Sequence, residues 1–212
     1  TFPEICCGSG PSIKYLIDNG AEKVYALDFS EEQIKLAKEL NADNVATGRV
    51  TFLHQAMEED YGLLEEVDTA FSIYGMPWTI DPEATLKNIY SSLKPGGKFI
   101  WSWDHTIFKN SKVVNGEVIV EYDYHDEDEI LRTSNSIENS EYHISTKKVS
   151  TWFALLRKAG FEINRYLEPE PVNLDENISE ISSPEMAAYY DTRKLKKLPC
   201  VMIFECVKPP SK

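Results

Sequence analysis

The sequence predicts an α/β fold built on a mostly parallel sheet, and three observations carry that prediction. The run Glu4-Ile5-Cys6-Cys7-Gly8-Ser9-Gly10 reads as a strand, a glycine-containing turn and the start of a helix. Lys23–Asp28 (KVYALD) reads as a second strand that closes on an acid. Further short apolar runs then alternate with helical patterns, the rhythm of a parallel sheet with crossover helices.

The later elements follow in order. Ser30-Glu31-Glu32-Gln33 is a capping box opening a helix through Ile34, Leu36, Ala37 and Leu40. Val50–Gln55 (VTFLHQ) is a third strand and Thr69–Tyr74 (TAFSIY) a fourth. Asp81-Pro82 caps and starts a helix that reaches Leu93. Leu93-Lys94-Pro95-Gly96-Gly97 then turns into a fifth strand, Lys98–Trp103 (KFIWSW). Residues 104–148 interrupt the rhythm. There Glu117–Tyr124 (EVIVEYDY) alternates as a half-buried strand does, with Ile130–Ser134 and Tyr142–Ser145 as its expected partners. Ser150 is expected to cap a helix ended by Gly160, Phe161–Leu167 forms a sixth strand, and Cys200–Val207 (CVMIFECV) a seventh.

The first turn has the chemistry of an adenosine site. Gly8 and Gly10 lack a Cβ, so backbone can approach a ligand closely. Asp28 follows Gly8 by about 20 residues, the spacing at which a carboxylate accepts from ribose hydroxyls. A nicotinamide loop, G-x-G-x-x-G, needs a third glycine where Ile13 stands, and no Tyr-x-x-x-Lys pair falls in a plausible place for a reductase. The alternative pattern, E/D-x-G-x-G-x-G, is met by Glu4, Gly8 and Gly10, with Cys6 in the first glycine position.

That pattern resembles the first motif of the class I S-adenosylmethionine-dependent methyltransferases, and the LKPGG turn before an apolar strand resembles another of their hallmarks. The resemblance covers residues 1–104 strongly and 149–207 in outline. It implies a Rossmann-like three-layer sandwich, with a seven-stranded, mostly parallel sheet, an antiparallel last strand and a β-rich insertion after strand 5. It also implies a single domain over 1–212, with 104–148 as a substrate-side insertion. Family members carry an N-terminal helical segment over the cofactor, and the start at Thr-Phe-Pro leads us to expect that this segment is missing here.

S-adenosylmethionine is the cofactor so implied. Parallel sheets bind ligands beyond the carboxyl ends of their strands. The residues carried over are therefore Glu4, Cys6, Gly8, Ser9 and Gly10 for the methionine end and Asp28 for the ribose. Phe29 either packs on adenine or belongs to the core. Gln55 stands where the family places an Asp toward the adenine amino group, followed by Ala56 and Met57; its amide carbonyl can accept the same bond without the charge. Ser72 and Tyr74 border cofactor and substrate. Cys6 and Gln55 depart from the family pattern, which keeps open a catalytically silent cofactor-binding module.

Methyl transfer needs positioning, with the nucleophile about 3–3.5 Å from the methyl carbon. A base helps only if the acceptor must lose a proton. His105 and Tyr74 are the catalytic candidates. Asp104 could orient His105, although adjacent side chains in extended chain diverge. His143 is a second base candidate, and His54, inside a strand, reads as structural. Trp78, Trp101, Trp103, Phe108, Tyr122 and Tyr124 could wall an apolar acceptor pocket, Trp101 more naturally as core.

Composition narrows the partners. The chain has 212 residues and a formal net charge of −13, which argues against duplex nucleic acid. Tyr74-Gly75-Met76-Pro77 also departs from the N-P-P-Y of DNA-amino methyltransferases. A small-molecule acceptor is expected, with no nucleic acid and no membrane partner, in a cytoplasmic monomer or homodimer. The acidic run Asp123–Glu129 lacks the spacing of a calcium loop and reads as a solvated connection. Four cysteines in no paired C-x-x-C spacing suggest neither zinc nor a disulfide framework.

Overall fold

The structure is a computed structural model, and it describes residues 1–127, 130–134, 140–171 and 184–210. Seven strands form the main sheet: β1 (Phe2–Ile5), β2 (Val24–Asp28), β3 (Val50–His54), β4 (Val67–Ile73), β5 (Leu93–Asp104), β10 (Glu162–Leu167) and β11 (Val201–Val207). Their order is β10-β11-β5-β4-β1-β2-β3. Neighbouring pairs from β3 to β5 run parallel, whereas β11 lies antiparallel between β5 and β10. The strand order reverses between β1 and β4, which places a crevice at their carboxyl ends.

Residues of β2 alternate between the two faces. Val24 and Ala26 pack with Ile13, Ile17 and Ile34 from helices α1 (Pro11–Asp18) and α2 (Glu31–Leu40). Leu27 joins the larger core on the other side, where Leu86 and Ile89 of α4 (Pro82–Ser92) meet Trp152 and Leu156 of α6 (Val149–Lys158). Between α2 and β3 the chain makes a short helix, α3 (Ala42–Ala46). Trp101 is core, as its strand position implied: it stacks on Phe204 with ring centroids 4.8 Å apart.

Two caps form as the sequence reads. Ser30 Oγ accepts from Gln33 N, and Asp81 Oδ1 accepts from the N–H groups of Glu83 and Ala84. Ser150 is not a cap: α6 begins at Val149, with Lys148 at the N-cap and no side-chain cap. The LKPGG segment is not a separate turn before the fifth strand. β5 starts at Leu93, opposite Val67, and the ladder resumes at Thr69–Lys98, so residues 94–97 bulge out of the strand. Gly96 in that bulge has φ of +82° and donates to Lys208 O.

The insertion is β-rich but paired differently from expectation. After β5 come the single-turn helix α5 (Thr106–Lys109) and a hairpin of β6 (Ser111–Val114) with β7 (Glu117–Val120). A separate hairpin pairs β8 (Ile130–Ser134) with β9 (Ser140–Ile144). Glu117–Val120 therefore partners the preceding strand. Asn115 and Gly116, both at positive φ, supply the two-residue turn that right-handed strand twist favours. Residues 121–127 form an irregular connection, most of it exposed; Asp128 and Glu129 lie outside the described residues. The C-terminal part adds α7 (Pro184–Tyr189) and α8 (Thr192–Leu195) against β6. Among the described residues no helix is long and apolar enough to cross a membrane.

Candidate active site

The site is built where β1, β2, β3 and β4 end. Beyond Ile5, the chain turns into α1 through three residues in left-handed conformation: Cys6 at φ +61°, Gly8 at +53° and Gly10 at +78°. Glycine is required at Gly10, because a Cβ there would lie 2.9 Å from Ala37 Cβ and 3.0 Å from Asn41 Nδ2. Asn41 in turn donates to Gly10 O at 3.1 Å and fixes the turn from the α2 side. Cys6 keeps the glycine-like backbone with a side chain attached, a conformation that costs about 1–2 kcal/mol outside glycine.

Two carboxylates flank this turn. Asp28 Oδ2 accepts from Gly8 N at 2.9 Å and Oδ1 from Ser30 N at 3.0 Å. Each oxygen retains a lone pair for a further donor. Glu4 is 2 % exposed; its Oε1 accepts from Ser12 Oγ, and Oε2 has no hydrogen-bond partner in the protein. Burial, opposed by the Ser12 bond and aided by Asp28, pushes the Glu4 carboxyl up to about 7. Burial, with the Asp28 charge nearby, also pushes the Cys6 thiol up to about 12, so it stays protonated and is no nucleophile at neutral pH.

A cleft of about 250 Å³ opens in front of the turn, lined by Cys6, Leu27, Asp28 and Phe29, then Ala56, Met57 and Glu58, and finally Trp78 and Ile80. Phe29 is not core: it is 68 % exposed at the rim. Glu58 was not anticipated. Its Oε1 accepts from Thr79 Oγ1 at 2.6 Å and Ile80 N at 2.8 Å, and so ties the β3 end of the cleft to the loop after β4.

Several expected site residues sit beside the cleft instead. Ser9 is exposed on the turn and Ser72 is fully buried, its Oγ donating to Ile5 O at 2.9 Å across β1 and β4. Gln55 donates its side-chain Nε2 to Asp60 O at 3.1 Å and its backbone N to Asp28 O, and does not line the cleft. His105 is a helix cap: Nδ1 accepts from Ile107 N at 3.2 Å, and Nε2 lies 3.2 Å from Glu168 Oε1. With both ring nitrogens engaged and burial lowering its basicity against the pull of Glu168, it has no lone pair to offer a substrate. Asp104 does not orient it but accepts from Tyr189 Oη at 2.7 Å. His54 Nε2 lies 3.0 Å from Phe29 O, a structural contact, and His143 falls on β9, in a hairpin that does not join the main sheet.

Tyr74 ends β4 at φ +56°, 38 % exposed, its ring 5.7 Å from that of Trp103. Trp78 meets the same indole edge-on at 6.2 Å. The aromatic wall thus joins the cleft to the carboxyl end of β5.

Comparison with known proteins bears on this geometry directly. Residues 3–97 match the family model described as a methyltransferase domain. The whole architecture superposes on solved structures. A protein from Listeria monocytogenes classed as an S-adenosylmethionine-dependent methyltransferase matches with a TM-score of 0.73 and 22 % identity, over 98 % of this chain and 90 % of that one.

This is the class I methyltransferase fold.

An S-adenosylmethionine-dependent methyltransferase from Mesorhizobium loti gives the same TM-score, 0.73, at 20 % identity over 97 % and 89 % of the two chains. The [4+2]-cyclase SpnF shares the fold with a TM-score of 0.64 and 16 % identity, over 99 % and 75 % of the chains. No curated protein sequence matches. S-adenosylmethionine is the expected cofactor of this methyltransferase fold, and the residues present fit it. The partnerless Glu4 Oε2 suits an ammonium, Asp28 has lone pairs for ribose hydroxyls, and the apolar cleft suits an adenine ring.

Proposed function

We propose that the protein transfers a methyl group from S-adenosylmethionine to a small-molecule acceptor, mainly by positioning the reactants. The observation that carries this reading is the pairing of the Glu4–Gly8 turn with Asp28 at the mouth of one apolar cleft. When bound, the cofactor supplies an electrophilic methyl for in-line displacement. Glu4 holds the ammonium of the methionine end, directly or through water. The backbone of Cys6 and Gly8 lies along the same end, with Gly10 and Ser9 shaping the turn. Asp28 accepts from the ribose; Phe29, Ala56 and Met57 sandwich the base, with Gln55 and Ser72 holding the surrounding loops. Tyr74 and Trp78 face the acceptor side and exclude water there. A charge of −13 favours a small organic acceptor over nucleic acid. A cytoplasmic monomer or homodimer is part of the same proposal.

Calorimetric titration with S-adenosylmethionine and S-adenosylhomocysteine tests the binding half. Absence of binding by either compound rejects it. Turnover of labelled cofactor against an acceptor panel tests the chemical half.

A second reading has one observation of its own. Cys6 places a side chain where the turn has a glycine's conformation and where it lines the cleft. A silent cofactor-binding module would bind both compounds yet transfer nothing. The cyclase among the structural neighbours supports keeping this alternative, since the fold alone does not dictate the reaction.

A further inference from the structure

Where the insertion joins the main sheet, the described residues hold a second polar constellation, separate from the cofactor turn. Trp103 and Asp104 close β5, Asn110 stands at the end of α5, and Ser145 follows β9. Three distant stretches of chain therefore meet. A fourth is tied in by Ser145 N, which donates to Pro77 O at 2.9 Å in the turn Met76–Trp78. All four residues are more than nine-tenths buried.

Each of the four carries one buried polar atom with no hydrogen-bond partner in the protein: Trp103 Nε1, Asp104 Oδ1, Asn110 Oδ1 and Ser145 Oγ. They are four of seven such atoms among the described residues, and the same four residues line one cavity of about 10 Å³. Buried polar atoms are nearly always paired. Four left unpaired in one place would forfeit much of a domain's stability, so the grouping points to a shared partner. The donor and acceptor pattern selects it. The Trp103 indole N–H only donates, and the Asp104 carboxylate and the Asn110 carbonyl oxygen only accept. A cation would meet the indole hydrogen, and an anion would meet two oxygens. A molecule that both accepts and donates suits the set, and about 10 Å³ admits nothing larger than one water.

We infer that one water molecule is a resident ligand of this site and fixes the Trp103 indole on which the aromatic wall is built. The water accepts from the Trp103 N–H and the Ser145 hydroxyl and donates to Asp104 Oδ1 and Asn110 Oδ1. All four of its hydrogen-bonding directions are used. It ties β5, the end of α5 and the chain after β9 at a single point. The inference goes beyond the methyl-transfer reading and does not rest on it.

The residues around the cavity are set by other bonds. Asp104 Oδ2 accepts from Tyr189 Oη at 2.7 Å, which leaves Oδ1 for the water. Asn110 is anchored through its backbone, whose N–H donates to Thr106 O and whose oxygen accepts from Glu121 N. The Trp103 ring meets Tyr74 at 5.7 Å and Trp78 at 6.2 Å, and the Lys109 ammonium lies 4.7 Å from its centroid. Those contacts hold the faces and edge of the indole. The water holds its N–H and so fixes its rotation.

The test uses the whole protein, isotope-labelled for magnetic resonance and with no cofactor added. The Trp103 indole resonance is assigned by its loss in Trp103→Phe. We expect a through-space cross-peak between this N–H and water, opposite in sign to the peaks that proton exchange gives in a rotating-frame experiment. A serine hydroxyl exchanging with solvent can imitate that peak, so Ser145→Ala is the control. Three partners remain in that variant, and the peak is expected to persist. Ser145→Val adds a methyl where the water lies. There the cross-peak is expected to vanish, the indole resonance to move upfield as its hydrogen bond is lost, and the Trp103 contacts with Tyr74 and Trp78 to change. The wild-type and Ser145→Ala spectra decide the site even if Ser145→Val fails to fold. A missing cross-peak in the wild-type protein overturns the inference, as does its disappearance in Ser145→Ala. A crystal structure with Trp103 Nε1 bonded directly to a protein oxygen, or with a metal cation in the cavity, overturns it too. Loss of the water in Ser145→Val with the indole resonance and contacts unmoved would show that the water does not fix Trp103.

Discussion

Gly8 donates its backbone N–H to the Asp28 carboxylate at 2.9 Å, so the acid closing β2 holds the turn that closes β1. The same carboxylate accepts from Ser30 N at 3.0 Å through its other oxygen and thereby sets the entry to α2. One side chain fixes two loops before any ligand arrives. The residue that grips the ribose in our reading is also the residue that shapes the neighbouring turn.

Replacing Asp28 by Asn separates those roles only partly. An amide has one acceptor oxygen, and its NH2 must then face either Gly8 N–H or Ser30 N–H, two donors head to head. We expect the loss of a charge-assisted bond to destabilise the protein by about 1.5–3 kcal/mol, measurable by urea unfolding. Affinity for S-adenosylmethionine should fall at least 100-fold by calorimetry. A variant with unchanged affinity would remove Asp28 from the site.

If Glu4 holds the cofactor ammonium as we propose, it makes cofactor binding pH-dependent. Its folded carboxyl lies near 7 against an ordinary 4.5, because burial favours the neutral acid. The folded state thus holds more protons than the unfolded state between those limits. The stability this group contributes is complete below about pH 4.5 and is lost as pH rises toward 7, on the order of 3 kcal/mol in total. An ammonium beside Glu4 favours the carboxylate, so binding expels a proton below pH 7. We expect S-adenosylmethionine to bind about tenfold more weakly at pH 6 than at pH 8. Calorimetry at pH 6 in buffers of different ionisation enthalpy should count close to one proton released, and Glu4→Gln should abolish both effects.

Much of this site was legible because it lies within short stretches of chain. The turn from Glu4 to Gly10, Asp28 at the end of an apolar run, and the Ser30 and Asp81 caps are all local signals, fixed by backbone geometry that one or two residue types can adopt. Glu58 was not legible, since its contacts are with Thr79 and Ile80, 21 and 22 residues on. His105 misled because its place after β5 suits a base equally well as a helix cap; only its neighbours Ile107 and Glu168 decide. The Asn115-Gly116 pair is a local hairpin signal, but the alternation of Glu117–Tyr124 fits a strand paired with later chain equally well, and only the tertiary pairing with Ser111–Val114 decides.

Cys6 carries a strain that glycine would relieve. At φ +61° its Cβ opposes the left-handed backbone, and the side chain also takes space in the cleft. Cys6→Gly removes about 1–2 kcal/mol of strain and adds about 0.5–1 kcal/mol of unfolded-state entropy. We expect the variant to be equally or slightly more stable in urea and to bind S-adenosylmethionine several-fold more tightly. Cys6→Ala keeps the Cβ and should show no gain in stability. Weaker binding in Cys6→Gly would mean that the thiol itself makes a contact the cofactor needs.

Gly75 packs the loop after β4 against the turn after β1, and its substitution should disturb both. A Cβ at this position would run into Ser72 Oγ and come within 2.7 Å of Cys6 Cβ and 3.0 Å of Ile5 O. The backbone oxygen cannot rotate away. Ser72 could do so only by giving up its bond to that same oxygen. Gly75→Ala must therefore push the loop after β4 away from the loop after β1, taking Tyr74 and the turn at Met76–Trp78 with it. Overpacking of this kind costs about 1–3 kcal/mol. We expect a lower urea midpoint, cofactor affinity reduced about tenfold, and a further loss of turnover beyond that reduction, because Tyr74 and Trp78 move while Asp28 stays. Full activity in Gly75→Ala would show that the two loops move independently, and Tyr74 would then no longer be positioned by the cofactor turn.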